Sequence, residues 1–528
     1  VVTSPQRAYR AACPHCGAAV EFASAASASA VCSYCRSTLV RDGDALRRIG
    51  VSAELFDDHT PLQLGASGRR QGIGFTLVGR LQYGYSAGSW NEWHALFDNG
   101  RSAWLSEDNG AYVLAFDAAP PADAPPLADL RAGSRVLADG RAWDVASVVS
   151  ARLIAAEGEL PAPPRLQGDF IVCDLRNPAG EVATLHGSDP ARLGWSVGRS
   201  VTLAELAMQG LKDIAEKTLG ARAPDCPSCG APLAITLAST RSVVCGQCAA
   251  VVEVSQGLGA DLAHYQQNNA GVRGAEPLIP LGSTALPGHL ALGGPPLRWQ
   301  VVGYLERCTV PGPGDDETSF WREYLLYERE AGFAFLVDTD EGWSWVRPLT
   351  GAPAVQGNEA AWEGVRYRQR WRYAARVTWV QGEFYWRLQR DEHALVTDYE
   401  GRGGDAARRL SREQTRDEVT WSAGVTLAAS AVADAFAISA SARPALQRDA
   451  APLAGYGSGP RTALLLIVCI IVIIVLLARC GGSDCDGVRS TFGPASREYQ
   501  ECLARDGAGG YGTRGGSFGG WSSGGGHK

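Results

Sequence analysis

Two stretches of the chain, Phe75 to Leu206 and Trp299 to Ala428, consist of short runs of aromatic and β-branched residues interrupted by turn residues. That pattern predicts antiparallel strands. Asp98-Asn99-Gly100 and Asn109-Gly110 predict hairpin turns in the first stretch, and Gly332 and Gly342 fall at the matching points of the second. A different periodicity follows at "SVTLAELAMQGLKDIAEKTLG". Thr202 and Glu205 form a capping box, Leu203, Leu206, Leu211 and Ile214 share a face, and Gly220 can end the segment, so a helix is expected there. A second helix is expected near Val425 to Ile438, without the capping glutamate. From Thr462 to Ala478 no residue is charged and Leu, Ile and Val dominate. That run covers about 25 Å as a helix, slightly less than the hydrocarbon core, and Arg461 and Arg479 bracket it. It reads as one transmembrane helix after a Pro/Gly/Ala-rich tether.

The alternating segments are written twice. "FTLVGRL" (Phe75 to Leu81) returns as "WQVVGYL" (Trp299 to Leu305), and "WNEWHALFDNGRSAWLSEDNG" from Trp90 as "WREYLLYEREAGFAFLVDTDEG" from Trp321 with one inserted residue. "SARLIAAEGEL" from Ser150 matches "AARVTWVQGEF" from Ala374, and "WSVGRSVTLAEL" from Trp195 echoes "WSAGVTLAAS" from Trp421. Each copy is preceded by the same cysteine spacing: Cys13, Cys16, Cys32 and Cys35 before the first, Cys226, Cys229, Cys245 and Cys248 before the second. Paired Cys-x-x-Cys knuckles predict one tetrahedral metal site per copy, zinc by preference and rubredoxin-like iron as the alternative. Pro14 and Gly17, with Pro227 and Gly230, suit the tight backbone bend of such a knuckle. Four thiolates leave no open position for water, so the metal is expected to be structural. His15 lies between two ligands and is expected to face solvent.

Composition narrows the class. A chain of 528 residues needs several cores. The net charge of −7 argues against nucleic acid as the main partner, because phosphate binding usually leaves a basic domain. Eight of the fourteen cysteines sit in the knuckles, which points to a reducing compartment. The first residues carry no apolar signal-peptide core.

Catalytic signals are weak. "GYSAG" (Gly84 to Gly88) fits a nucleophile elbow centred on Ser86, but strand-like sequence lies on both sides where the elbow needs a helix, so a hairpin loop is the reading. The eight histidines are scattered, and neither a phosphate-binding loop nor a dinucleotide fingerprint follows a strand. Arg152 and Glu159 recur as Arg376 and Glu383, either a polar groove on each domain or, preferably, a cross-strand ion pair. Trp90, Trp104, Trp343, Trp345 and Trp371 could line a groove and are more often core. No enzymatic activity is expected.

The predicted fold is mainly β: two zinc ribbons, each followed by an antiparallel sandwich or barrel-like domain with a closing helix, plus one transmembrane helix. Residues 1–50 are the first ribbon, 51–220 the first β-rich domain, 221–256 the second ribbon and 257–440 the second domain. Linker 441–461, membrane helix 462–478 and tail 479–528 follow. The proline-rich stretches Ala119 to Asp129 and Pro161 to Pro164 read as loops inside the first domain, and 257–275 as a linker into the second. Flanking arginines nearly balance, so orientation comes from the knuckles: they need reducing cytoplasm, which puts the tail outside. There Cys485 and Cys502 could form a disulfide, Cys480 stays unpaired beside the membrane, and the Gly/Ser-rich end is expected to be disordered.

These motifs in this order resemble the bacterial domain-of-unknown-function 4178 family, including the apolar segment and the "GGSFGGWSSGGGHK" tail. The resemblance implies a companion of membrane-stress or membrane-remodelling systems that include phage-shock-like coiled-coil proteins, small membrane proteins and aminopropyltransferase-like enzymes. It brings no catalytic residues. The expected function is a membrane-anchored, cytoplasm-facing adaptor at the bacterial inner membrane, its partner one of those coiled-coil or small membrane proteins. A nucleic-acid-binding ribbon protein, or an enzyme with a site in the β domains, is the alternative.

Overall fold

Alternating apolar positions need a covered sheet face, and the chain meets that need by closing its sheets. A computed structural model describes residues 9–22, 29–35, 37–42, 45–51, 60–86, 89–108, 110–164, 168–188, 193–212, 225–226, 228–233, 235, 240, 242–248, 250–253, 263–265, 277–286, 290, 297–311, 318–328, 331–386, 393–448 and 493. The membrane segment, the tail apart from residue 493, and the Cys485–Cys502 pair lie outside these residues. Among the described residues no helix is long and apolar enough to cross a membrane.

The first knuckle module contains β1 (Tyr9–Ala12), β2 (Ala19–Phe22), β3 (Ser29–Val31), β4 (Ser37–Asp42) and β5 (Ala45–Val51). The first domain follows with β6 (Ser67–Arg70), β7 (Ile73–Gly84), β8 (Ser89–Phe97), β9 (Ser102–Asp108), β10 (Ala111–Ala118), β11 (Arg135–Ala138), β12 (Arg141–Leu160), β13 (Phe170–Arg176), β14 (Glu181–Gly187) and β15 (Gly194–Val201). Antiparallel ladders connect β12, β13, β14, β15, β10, β9, β8 and β7, and β7 returns to β12, so eight strands form a closed barrel. Closure removes the unpaired edges that an open sheet would expose.

The second module has β16 (Ser242–Val244), β17 (Val251–Glu253) and β18 (Ala263–Tyr265). Its domain has β19 (Gln300–Thr309), β20 (Phe320–Glu328), β21 (Gly332–Thr339), β22 (Gly342–Leu349), β23 (Ala354–Gln356), β24 (Glu359–Trp362), β25 (Val365–Phe384), β26 (His393–Gly401), β27 (Arg408–Gln414) and β28 (Val419–Leu427). Here the ring runs β25, β26, β27, β28, β22, β21, β20, β19 and back to β25. Because β18 pairs with β17, part of the segment expected to be a linker belongs to the second module.

The copies agree in detail. The ladders slip at Val78 and Val302, at Ala146 and Arg370, and at Ile154 and Thr378, three bulges in equivalent places. Bulges bend a strand and increase its twist, which lets the 20-residue strands β12 and β25 turn a corner of the barrel. Gly158 and Gly382 sit beyond that corner, where a Cβ would lie 2.2 Å from the Val78 carbonyl oxygen and 2.3 Å from that of Val302. Only glycine permits this approach, and both have positive φ. Gly100 and Gly332 lie at one equivalent turn, Gly110 and Gly342 at the next. Trp93 opposes Leu105 as Tyr324 opposes Leu336, so the inserted residue of the sequence match is a one-position shift of glycine within its turn.

Interior and exterior separate cleanly in the second barrel. One cluster joins Leu305, Trp321, Phe335, Val346, Tyr373 and Val396 from strands around the ring and is the interior. Another, with Tyr304, Leu336, Trp343 and Trp345, is covered from outside by Ile279, Leu290, Val432 and Leu446. Trp90, Trp343 and Trp345 are accordingly core residues.

The closing helices meet the expectation in one copy only. Thr202 and Glu205 do form the capping box, with N–H to oxygen distances of 2.8 and 3.1 Å. The turn then stops at Ala207, whose φ is +47°, with Met208 N–H donating to Leu203 and Ala207 N–H to Ala204. This is a Schellman motif with alanine in the left-handed position. It sends Leu206 and Met208 onto the outer face of the barrel beside Phe75 and Leu77, and no α-helix follows among the described residues up to 212. In the second copy, where the cap is missing, a helix α1 (Ala429–Ala435) forms and ends in the same motif at Ala437.

The two copies touch. Ser147 and Glu418 form a β-bridge, Val148 N–H donates to Asp417 at 3.0 Å, and Gln414 Nε2 donates to Ala132 at 3.2 Å. Arg176 reaches across from the first barrel to the carbonyls of Leu349 and Thr350, at 3.3 and 2.6 Å.

Candidate functional site

Each knuckle is built by its backbone before any side chain takes part. In the first, Gly17 N–H donates to Cys13 O at 2.9 Å and Cys13 N–H to Ala18 O at 2.8 Å. In the second, Gly230 and Cys226 repeat both bonds at 2.8 and 2.7 Å. The bend needs positive φ at Gly17 and Gly230, which have it. The remaining knuckles close through Cys32 N–H to Ser37 O and Cys245 N–H to Ala250 O, both 2.9 Å.

All eight predicted cysteines gather in two groups of four, the Sγ atoms of each group within 4.8 Å of one another. Cys13–Cys35 are 3.6 Å apart, and Cys16–Cys32, Cys226–Cys248 and Cys229–Cys245 are 3.7 Å apart. Sulfurs at tetrahedral corners about 2.3 Å from a shared ion would be separated by about 3.8 Å, so the donor set fits a metal ion. Electrostatics agrees. The Ser37 hydroxyl beside Cys35 lowers its thiol to about 6, and backbone N–H groups of Cys248 and Gln247 bring Cys245 to about 7. Cys16 and Cys229 are held up near 12: the N–H of Ala18 or Ala231 favours the thiolate, but burial and the neighbouring sulfurs outweigh it. Four thiolates this close need a cation between them. His15 and Tyr34 point to solvent.

Each module is welded to its barrel. β3 pairs with the end of β12 (Val31 opposite Gly158, Ala30 opposite Glu159), and β16 pairs with β25 (Val243 opposite Glu383). Thr240 Oγ1 donates to the Glu383 carboxylate. Glu159 and Glu383 thus lie under the module junctions. Arg152 faces solvent seven positions before Glu159 on the same extended strand, roughly 20 Å away. Neither the expected groove nor the expected cross-strand ion pair is formed by these residues. Ser86 is exposed in the β7–β8 hairpin, as read from the sequence, with strands on either side.

A scan of protein families gives a domain of unknown function, DUF4178, over residues 63–203 and again over 297–429. The two matches cover just over half of the chain. The chain belongs to the DUF4178 family. Each DUF4178 match coincides with one barrel and excludes the cysteine modules. No curated protein and no solved structure matches the chain.

The polar groups inside the DUF4178 barrels escaped the sequence reading. Asp174 and Asp398 are fully buried at equivalent positions; Asp174 accepts from Thr184 at 2.8 Å, Asp398 from Ser411 at 2.7 Å and Tyr373 at 2.8 Å. A Trp-x-Glu triplet also recurs. Trp90 Nε1 donates to Glu92 at 3.4 Å and Trp321 Nε1 to Glu323 at 2.7 Å. The matched strings starting at Trp90 and Trp321 contain this triplet, and alternation puts both side chains on one strand face. In the second barrel an arginine joins the triplet. Arg307, wholly buried, donates to Glu323 at 3.0 Å and to both oxygens of Glu413 at 2.9 and 3.3 Å. Burial pushes Glu413 up to about 8 against the pull of Arg307, because Glu323 and Asp398 crowd it with negative charge.

Proposed function

We propose that the chain is a membrane-anchored, non-enzymatic scaffold of the bacterial inner membrane. Its two ribbon–barrel units face the cytoplasm, and its tail lies outside. Each unit carries one structural zinc ion, on Cys13, Cys16, Cys32 and Cys35 or on Cys226, Cys229, Cys245 and Cys248. The partner is a protein at that membrane, a phage-shock-like coiled-coil or a small membrane protein, as the family resemblance implies. The supporting observation is the strand pairing of each cysteine module with its barrel, together with the hydrogen-bonded contact between barrels. Joined units present two recognition surfaces in fixed relation, and avidity rises with the effective concentration of the second. A closed four-thiolate site suits that structural role.

The test is orientation plus partner. In spheroplasts a membrane-impermeant protease should trim the Gly-rich tail and spare both ribbon–barrel units, and membrane pull-down with the full chain should retain an inner-membrane protein. Removal of the units with the tail spared would reverse the topology and end the cytoplasmic reading. A salt-dependent gel shift with nucleic acid at physiological ionic strength would favour the ribbon–nucleic acid alternative instead.

A further inference from the structure

The two cysteine modules differ in how open their sulfurs are and in how firmly they are docked. In the first, Cys13 and Cys32 are buried and Cys16 and Cys35 half-buried; in the second, Cys226 and Cys245 are buried but Cys229 and Cys248 are exposed. Each exposed sulfur of the second group lies 3.7 Å from a buried one, Cys229 from Cys245 and Cys248 from Cys226. Oxidants select thiolates that solvent reaches, and a second sulfur within reach turns the oxidised cysteine into a disulfide. Docking differs in the same sense. Among the described residues three ladder pairs join β3 to β12, whereas two join β16 to β25. The sheet of the first module continues through β4 and β5, of six and seven residues, while β16, β17 and β18 have three residues each.

Alternation along these short strands splits the valines of the second module between two jobs. Val243 and Val252 pack with Cys226 and Cys245 inside the module. Val244 and Val251 instead join the cluster that fills the second barrel, beside Phe384, Tyr385 and Trp386. The module thus plugs one end of that interior. Cys245 directly follows β16, and its N–H donates at 2.9 Å to Ala250 O, one residue before β17. The ligating knuckle is therefore the turn that holds the two plug strands together. A module this small has too little apolar core to keep that turn once its metal is gone.

We propose that the second module is a redox-released plug: peroxide oxidation at Cys229 or Cys248 frees its metal, detaches β16 from β25 and uncovers Phe384, Tyr385 and Trp386, while the first module stays loaded. The exposed thiolate attacks the peroxide O–O bond, giving a sulfenic acid and a hydroxide ion. The thiolate beside it then displaces a second hydroxide from the oxidised sulfur as the disulfide forms. Two electrons pass from the two thiolates to the peroxide, and two of the four ligands are consumed. The proposal rests on both modules holding metal, as the scaffold reading states. To test it, the full chain, first shown by metal analysis to carry two equivalents, is treated with hydrogen peroxide. Released metal is read with a chromophoric chelator, and disulfides and amide exchange by mass spectrometry. One equivalent should leave roughly fivefold faster than the other, with Cys229 joined to Cys245 or Cys226 to Cys248. Exchange should quicken at Val243 and at Phe384, Tyr385 and Trp386 but not at Val31, and dithiothreitol with added zinc should reverse these changes. Equal rates, no release, earlier oxidation of Cys16 or Cys35, or release without faster exchange at Val243 would overturn the proposal and leave the metal-loaded reading standing. A second module without metal in the reduced chain would overturn both. Cys229→His combined with Cys248→His keeps four zinc ligands but removes both exposed thiolates, and should slow release from the second module to the rate of the first or below. Should that variant bind no metal, the comparison between the two modules of the unaltered chain still decides.

Discussion

At the scale of single residues, Gly158 and Gly382 show how little freedom the barrel corners leave. A methyl group on either would lie within 2.3 Å of a carbonyl oxygen on the paired strand, at a backbone angle that alanine resists. Gly158→Ala should lower stability by about 2–4 kcal/mol, read as a drop in Tm and in the denaturant midpoint. His94 makes a second residue-scale prediction. Its Nδ1 lies 2.8 Å from the Glu159 carbonyl and its Nε2 2.9 Å from Ser102 Oγ, and burial lowers its pKa. Below the unfolded pKa of about 6.5 the unfolded chain binds a proton that the folded chain refuses, so this contribution is full above that pH and is lost as pH falls through it. His94→Gln should flatten the decline in stability between pH 7 and 5, measured by urea titration. The strings that contain these glycines were legible as a repeat, but not the close approach the glycines permit. The environment of His94 was not, because nothing local announces a carbonyl 65 residues away.

Among elements, the cysteine modules can be tested one at a time. Cys226→Ser should remove one of two metal equivalents and speed amide exchange at Val243 on β16, leaving Val31 on β3 unaffected. Exchange mass spectrometry with metal analysis reads both, and loss of both equivalents would contradict local closure. The two groups of four cysteines were readable because knuckle spacing is short-range and the chemistry of four thiols admits few alternatives. Strand content and the duplication were readable from alternation. Helices were not. Thr202, Glu205 and three well-spaced leucines promised a long helix, yet Ala207 adopts a left-handed angle that lets Leu206 and Met208 reach the outer face of the barrel. Tertiary packing outweighed propensity there. Sandwich and barrel could not be told apart, since the pairing of β12 with β7 that closes the ring joins segments about 75 residues apart.

For the whole molecule, the junction between barrels centres on Arg176. Burial lowers its pKa against the pull of Asp174, Glu418 and Asp108, and its Nη1 satisfies two carbonyls of the other copy. Arg176→Met should leave those carbonyls without the guanidinium and the nearby carboxylates without its charge, at a cost of about 2–4 kcal/mol. Small-angle scattering should then show a wider spread of inter-barrel distances while each barrel keeps its circular dichroism. An unchanged scattering profile and Tm would mean that the bridge at Ser147 and Glu418 suffices alone. Sequence could not anticipate this contact: Arg176 has no arginine counterpart, its position in the second copy being held by Glu400.

The pairing of β3 with β12 also sets a clock. Val31 leaves the ribosome about 130 residues before Gly158, the partner it must dock against. At roughly 5–20 residues per second the first module waits about 6–25 s during synthesis. The second waits about as long, since Val243 must await Glu383. A nascent module of this size has too small an apolar core to persist alone over that interval. Metal capture by the knuckles, which needs only residues already made, is what would carry each module through the delay, so metal starvation should harm newly made chains far more than chains already assembled.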